Sequence, residues 1–101
     1  MVVSLSVVPV GSGVGLKEPV AAILRVIDRS GLPYRLTAMA TEIEGEWDDV
    51  MAVVKAAHDA GRRFTGRVLT SITIDDREGA EGRLEGKVRD VEGILGKPLG
   101  N

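Results

Sequence analysis

Tyr34-Arg35-Leu36-Thr37-Ala38-Met39-Ala40-Thr41-Glu42-Ile43-Glu44-Gly45 decides the fold, because it holds two extended segments in succession with no helix between them. Tyr34, Leu36, Ala38 and Ala40 alternate with Arg35, Thr37, Met39 and Thr41, a period of two that reads as a strand. A tight turn is expected near Ala40 to Glu42. Ile43 and its neighbours form a short further strand, and Gly45 ends it.

On the N-terminal side, Val3, Leu5 and Val7 alternate with Ser4, Ser6 and Val8, and Pro9 closes that run. A glycine-rich connection over 11–17 leads to a helix with Glu18 and Pro19 in its first turn. Val20, Ile23, Leu24 and Ile27 make its apolar stripe. Gly31 caps it in the left-handed region, and Pro33 keeps it from resuming.

On the C-terminal side, Trp47, Val50, Met51, Val54 and His58 recur at helical spacing behind Asp48 and Asp49, with Gly61 expected as the cap. Val68, Thr70, Ile72 and Ile74 then alternate with Leu69, Ser71, Thr73 and Asp75. Leu84, Val88, Val91 and Leu95 mark a last amphipathic helix. The order is β-α-β-β-α-β-α. Its first six elements predict an α+β, ferredoxin-like βαββαβ sandwich, with both helices on one face of a four-stranded antiparallel sheet. The additional C-terminal helix is an appendage to it.

A chain of 101 residues builds one domain, expected to span 1–101, with one modest core. Only one Phe, one Trp and one Tyr are present, so aliphatic side chains must supply that core. Zero cysteine excludes a disulfide framework and thiolate chemistry, and fits a reducing compartment; the cytoplasm is the expected location. No basic segment precedes the apolar opening run, which reads as a strand and not a signal peptide. No apolar run approaches the roughly 20 residues that span a bilayer, so no membrane partner is expected. Net charge −2 with dispersed basic residues gives no footprint for nucleic acid.

The other sheet face, predicted to carry Ser4, Ser6, Val8, Thr37, Met39, Leu69, Ser71 and Thr73, mixes hydroxyls with aliphatics. It suits a small-ligand pocket or a contact between sheets. It lacks the stacking aromatics of an RNA-reading sheet. Thr37 and Thr41, with Met39, are placed to bracket a flat heterocycle, while Glu42 and Glu44 on one strand face offer carboxylates to a cation or an amine. Ser6 and Pro9, at the end of the first strand, complete the candidate set. The glycines at 11, 13 and 15 match neither a dinucleotide fingerprint nor a triphosphate loop. His58 has no nucleophile beside it and reads as structural, Trp47 reads as the anchor of its helix, and the carboxylates lack metal-ligand spacing. No cofactor, metal or catalytic residue is expected.

Four segments carry a family resemblance. Ser-Val-Val-Pro-Val-Gly-Ser-Gly at 6–13, Ser-Gly-Leu-Pro-Tyr-Arg-Leu at 30–36, Ala-Thr-Glu-Ile-Glu-Gly at 40–45 and Gly-Arg-Val-Leu-Thr-Ser-Ile-Thr-Ile-Asp-Asp-Arg at 66–77 resemble the small thiamine-binding protein family, in the same order over nearly the whole chain. The resemblance implies a ferredoxin-like protein that assembles as a homodimer or homotetramer. It implies binding of thiamine or its hydroxymethylpyrimidine part without chemistry. The chain departs from the family pattern at Ala40, where Gly is common, at Lys17, where a hydroxyl is common, and at Pro19, where an aromatic is common. A positive charge at Lys17 disfavours a nearby thiazolium cation. The expected function is noncatalytic binding of thiamine or a related pyrimidine. The competing reading is a structural or regulatory oligomer without a dedicated ligand.

Overall fold

Unequal strand lengths shape this molecule. The computed structural model describes residues 1–11, 15, 17–79, 82, 84, 91, 93, 94 and 96. Its elements run β1 (Val2–Pro9), α1 (Lys17–Arg29), β2 (Tyr34–Leu36), β3 (Thr41–Glu44), α2 (Trp47–Arg62) and β4 (Val68–Asp75). The strands form one sheet in the order β2-β3-β1-β4, every neighbouring pair antiparallel. This is the ferredoxin-like α+β sandwich, with the two helices supplying one layer and the sheet the other. In the predicted C-terminal helix, Val88 and Leu95 lie outside the described residues; Leu84 is buried and Val91 exposed.

Alternation along the strands sends Val3, Leu5 and Ile43 to the helix-facing side, where they meet Ile23 and Ile27 of α1 and Val50, Val53, Val54, Ala57 and Ala60 of α2. The apolar stripe of each helix therefore lands on the same set of aliphatic side chains. Small residues let α2 lie close to the sheet. Gly61 belongs to this contact and is not the expected cap: α2 runs through Arg62, and a Cβ at Gly61 would stand 3.0 Å from Val7 Cγ1. At Gly31, by contrast, φ is +76°, so the left-handed cap after α1 is present.

The hairpin turn falls earlier than the sequence suggests. Thr37 N–H donates to Ala40 O at 2.8 Å, so Ala38 and Met39 make the turn, and β3 already begins at Thr41. The reason is the Thr37 hydroxyl, which donates to Ala40 O at 2.8 Å and accepts from Ala40 N–H at 3.2 Å. A side chain that bonds the backbone three residues on closes a turn locally, and alternation alone does not reveal it. Thr37 and Met39 consequently sit in the turn and not on the open sheet face.

That face carries Val2, Ser4, Ser6 and Val8 of β1 opposite Asp75, Thr73, Ser71 and Leu69 of β4, with Glu44 and Glu42 of β3 on the other flank. Val8 and Leu69 are partners there and are 42 % and 51 % exposed. Trp47 opens α2 but keeps 52 % of its surface exposed, so its anchoring of that helix is partial.

Candidate functional site

β1 pairs with β4 along its whole length, from Val2↔Asp75 to Pro9↔Val68. With β3 it pairs only from Val2↔Glu44 to Leu5↔Thr41, because the turn at Ala38 and Met39 ends that strand. Beyond Leu5 the sheet has a notch. α1 passes over it, and a cavity of about 360 Å³ lies between the second half of β1, the inner side of α1 and the hairpin tip. That volume is at the lower end of small-molecule pockets.

Aliphatic side chains dominate the lining: Leu5 and Val7 from β1, Val20, Ile23, Leu24 and Ile27 from α1, and Leu36 from β2. No described lining residue is ionisable. The side-chain hydroxyls on the helix side and at the hairpin belong to Thr41 and Thr37, while Ser6 borders the cavity from the strand edge with its side chain on the open sheet face. Thr41 projects from the core-facing side of β3 and is only 7 % exposed, and its hydroxyl is hydrogen-bonded to no described residue. As a lining residue it offers the cavity one hydroxyl donor and acceptor. The Thr37 hydroxyl has spent its proton on Ala40 O, so it shapes the turn and retains little capacity to donate elsewhere.

The sequence-predicted set therefore divides. Ser6, Pro9, Thr37 and Thr41 come together around the cavity. Glu42 and Glu44 do not: they alternate with Thr41 and Ile43, so they lie on the opposite sheet face, where Glu42 is flanked by Ser4 and Arg35. The lining residues that the sequence reading does not single out are those of the α1 wall, read there as the apolar stripe of the helix, and Leu36, read there only as part of a strand. The available signal was the mismatch between a long first strand and a short third one.

Elsewhere the polar groups serve the fold. His58 Nδ1 and Thr70 Oγ1 share a hydrogen bond of 2.6 Å, which ties α2 to β4 and fits the structural role read from the sequence. The Tyr34 hydroxyl donates to Asp28 Oδ1 at 3.0 Å, and this bond to a carboxylate raises the phenol pKa. It links β2 to the C-terminal turn of α1, the two walls of the cavity. Among the described residues no three His, Cys, Asp or Glu side chains converge as a metal site would need.

The sequence pattern of the thiamine-binding protein family matches residues 3–92. The chain belongs to that family. It is similar to the UPF0045 protein Mb1933 of Mycobacterium bovis, at 41 % identity over 99 residues and 97 % of either chain. Among solved structures it is similar to the hypothetical protein MJ1052 of Methanocaldococcus jannaschii, with a TM-score of 0.81 and 29 % identity over 89 % of this chain and 93 % of that one. It is also similar to TM0486 of Thermotoga maritima, whose name proposes a role in thiamine biosynthesis or salvage. There the TM-score is 0.78 and the identity 28 %, over 89 % and 96 % of the two chains. The family's description names a molecule bound and not a reaction. Among the described residues no helix is long and apolar enough to cross a membrane.

Proposed function

We propose that this chain is a noncatalytic, cytoplasmic binder of thiamine or a related hydroxymethylpyrimidine compound, held in the cavity beside the second half of β1. The observation that supports this reading most directly is Thr41, a residue only 7 % exposed that brings a hydroxyl to an uncharged, mainly aliphatic cavity. A flat heterocycle satisfies both parts of that environment: its faces meet Ile23, Leu24 and Leu36, and its edge carries nitrogen atoms that can bond a hydroxyl. Ser6 and Pro9 border the same space from β1, and Thr37 fixes the hairpin that closes it. Glu42 and Glu44, on the other sheet face, make no direct contact with this ligand.

Calorimetric titration with thiamine, its phosphates and hydroxymethylpyrimidine tests the proposal. Saturable binding of at least one, without product formation, is expected. Absence of saturation at millimolar ligand rejects the class.

The second reading, an oligomer joined through the open sheet face, is favoured by the adjacent exposed Val8 and Leu69 among small hydroxyls. A homodimer or homotetramer would need about 1,200 Å² of total buried surface for a specific interface. Light scattering at micromolar concentration tests it, and a monomeric mass rejects it. The two readings concern different faces and are compatible.

A further inference from the structure

We infer that the unpaired edge of β1 at Val7 recognises the ligand, the Val7 N–H and C=O together pairing with an aminopyrimidine edge in which a ring nitrogen lies beside an exocyclic amine. The inference rests on the binding proposed above and names the group that gives it specificity.

Backbone alternation assigns each residue of β1 a direction. Val10 N–H donates to Arg67 O at 2.9 Å, so Val10 and Arg67 are a hydrogen-bonded pair on the β4 side. In an antiparallel ladder such pairs recur at every second residue. Val8, Ser6, Ser4 and Val2 therefore direct their backbone groups to β4, and the odd-numbered residues direct theirs to β3. The other flank agrees: Met1 N donates to Gly45 O at 2.9 Å, and Gly45 N–H donates to Met1 O at 3.0 Å. Val3 and Leu5 follow in that series, opposite Ile43 and Thr41.

Val7 is next, and β3 has no residue to meet it. Thr37 and Ala40 close the hairpin, and pairing with β1 stops at Leu5↔Thr41. The Val7 N–H and C=O, followed by the Pro9 C=O, thus point into the notch that Val7 and Pro9 line, and no described backbone group bonds them there. Pro9 has no N–H to offer. The edge therefore presents one donor with an acceptor beside it and a further acceptor beyond. Backbone groups sheltered in this way require partners.

Two features of the cavity give this edge the leading role. The described lining has no ionisable side chain, so a charge-based mode of recognition has no counter-ion. Of the hydroxyls, that of Thr37 has already donated its proton to Ala40 O. Val7 therefore supplies a matched donor and acceptor where the side chains supply isolated hydroxyls. An aminopyrimidine complements it, because the ring nitrogen accepts from N–H while the amine donates to C=O.

Amide hydrogen exchange, resolved by residue on the full chain, tests this directly. In the free protein the Val7 amide is expected to exchange faster than those of Val3 and Leu5, which are paired to β3. Saturation with hydroxymethylpyrimidine is expected to slow Val7 exchange by about tenfold or more, as a new bond protects it. The same pyrimidine lacking its amino group is expected to bind at least about tenfold more weakly, because the Val7 carbonyl is left unpaired. Saturable binding with unchanged Val7 exchange, or equal affinity for the amino-free ring, overturns the assignment to Val7 and leaves the binding proposal standing. No saturable binding by any pyrimidine or thiamine compound overturns both.

Discussion

The two halves of β1 have opposite fates within one strand. From Val2 to Leu5 it is paired on both edges, and its inward side chains Val3 and Leu5 are buried, with Leu5 at the boundary of the cavity. From Ser6 to Pro9 it keeps the β4 partner, loses the β3 partner and borders a cavity. The residue types barely change between the halves, so composition does not separate core from site. The neighbour does. Where β3 continues, aliphatic side chains exclude space; where the hairpin turns away, similar side chains enclose it.

The largest expected effect lies in the doubly paired half. Ile43→Ala removes a fully buried side chain beside Val3 and is expected to destabilise by about 2–5 kcal/mol, whereas Leu36→Ala at the cavity rim should cost less than about 1 kcal/mol. Urea unfolding of both variants measures the contrast. Equal losses would erase the distinction between the halves.

Thr41→Val should act on binding and not on stability. It replaces a cavity-lining hydroxyl with a methyl of similar volume, so unfolding free energy is expected to change by less than about 1 kcal/mol while ligand affinity falls by about 1 kcal/mol. Glu42→Gln, on the far face, is expected to change affinity by less than about 0.5 kcal/mol. Calorimetry on the two variants orders them, and a larger loss at Glu42 would move the site across the sheet.

Gly61→Ala couples the two layers. The new methyl meets Val7 Cγ1 at 3.0 Å, but Val7 borders the cavity and has room to yield. The helix-propensity gain of about 1 kcal/mol is then partly retained, and the cavity narrows. A higher melting temperature with weaker ligand binding is expected.

The smallest effect is at Lys55–Asp59, an exposed pair on α2 with Nζ and Oδ2 2.8 Å apart. The lysine's hydrogen bond and charge lower the Asp59 pKa, so whatever stability the pair contributes is present above the ordinary carboxylate pKa. It is lost as pH falls through the lowered value. Lys55→Ala should therefore differ from the parent only marginally at neutral pH and not at all in strong acid, as read by unfolding at a series of pH values.

Sequence carried the fold because period and punctuation agreed. Val3, Leu5 and Val7 alternate, Ile23 and Ile27 recur at helical spacing, and Gly31 adopts the positive φ expected of a cap. The surroundings of the cavity were legible only in part. Ser6, Pro9, Thr37 and Thr41, singled out by their chemistry and their place at strand ends, border it. Glu42 and Glu44, their neighbours in sequence, lie on the opposite sheet face, because side-chain direction reverses along a strand. The turn position depended on a hydroxyl-to-backbone bond at Thr37, and the α1 wall on a crossover that no local pattern specifies.

The Thr37–Ala40 closure also makes the pocket a matter of gene length. Adding one residue pair to each arm of this hairpin would carry β3 past Leu5, bring a partner to Val7 and seal the notch with ordinary sheet. Removing a pair would widen it toward the core. Hairpin tips tolerate insertions and deletions far better than packed elements do. A lineage could thus gain, enlarge or abolish this cavity by a few codons at one turn, while every buried aliphatic of the sandwich stayed as it is.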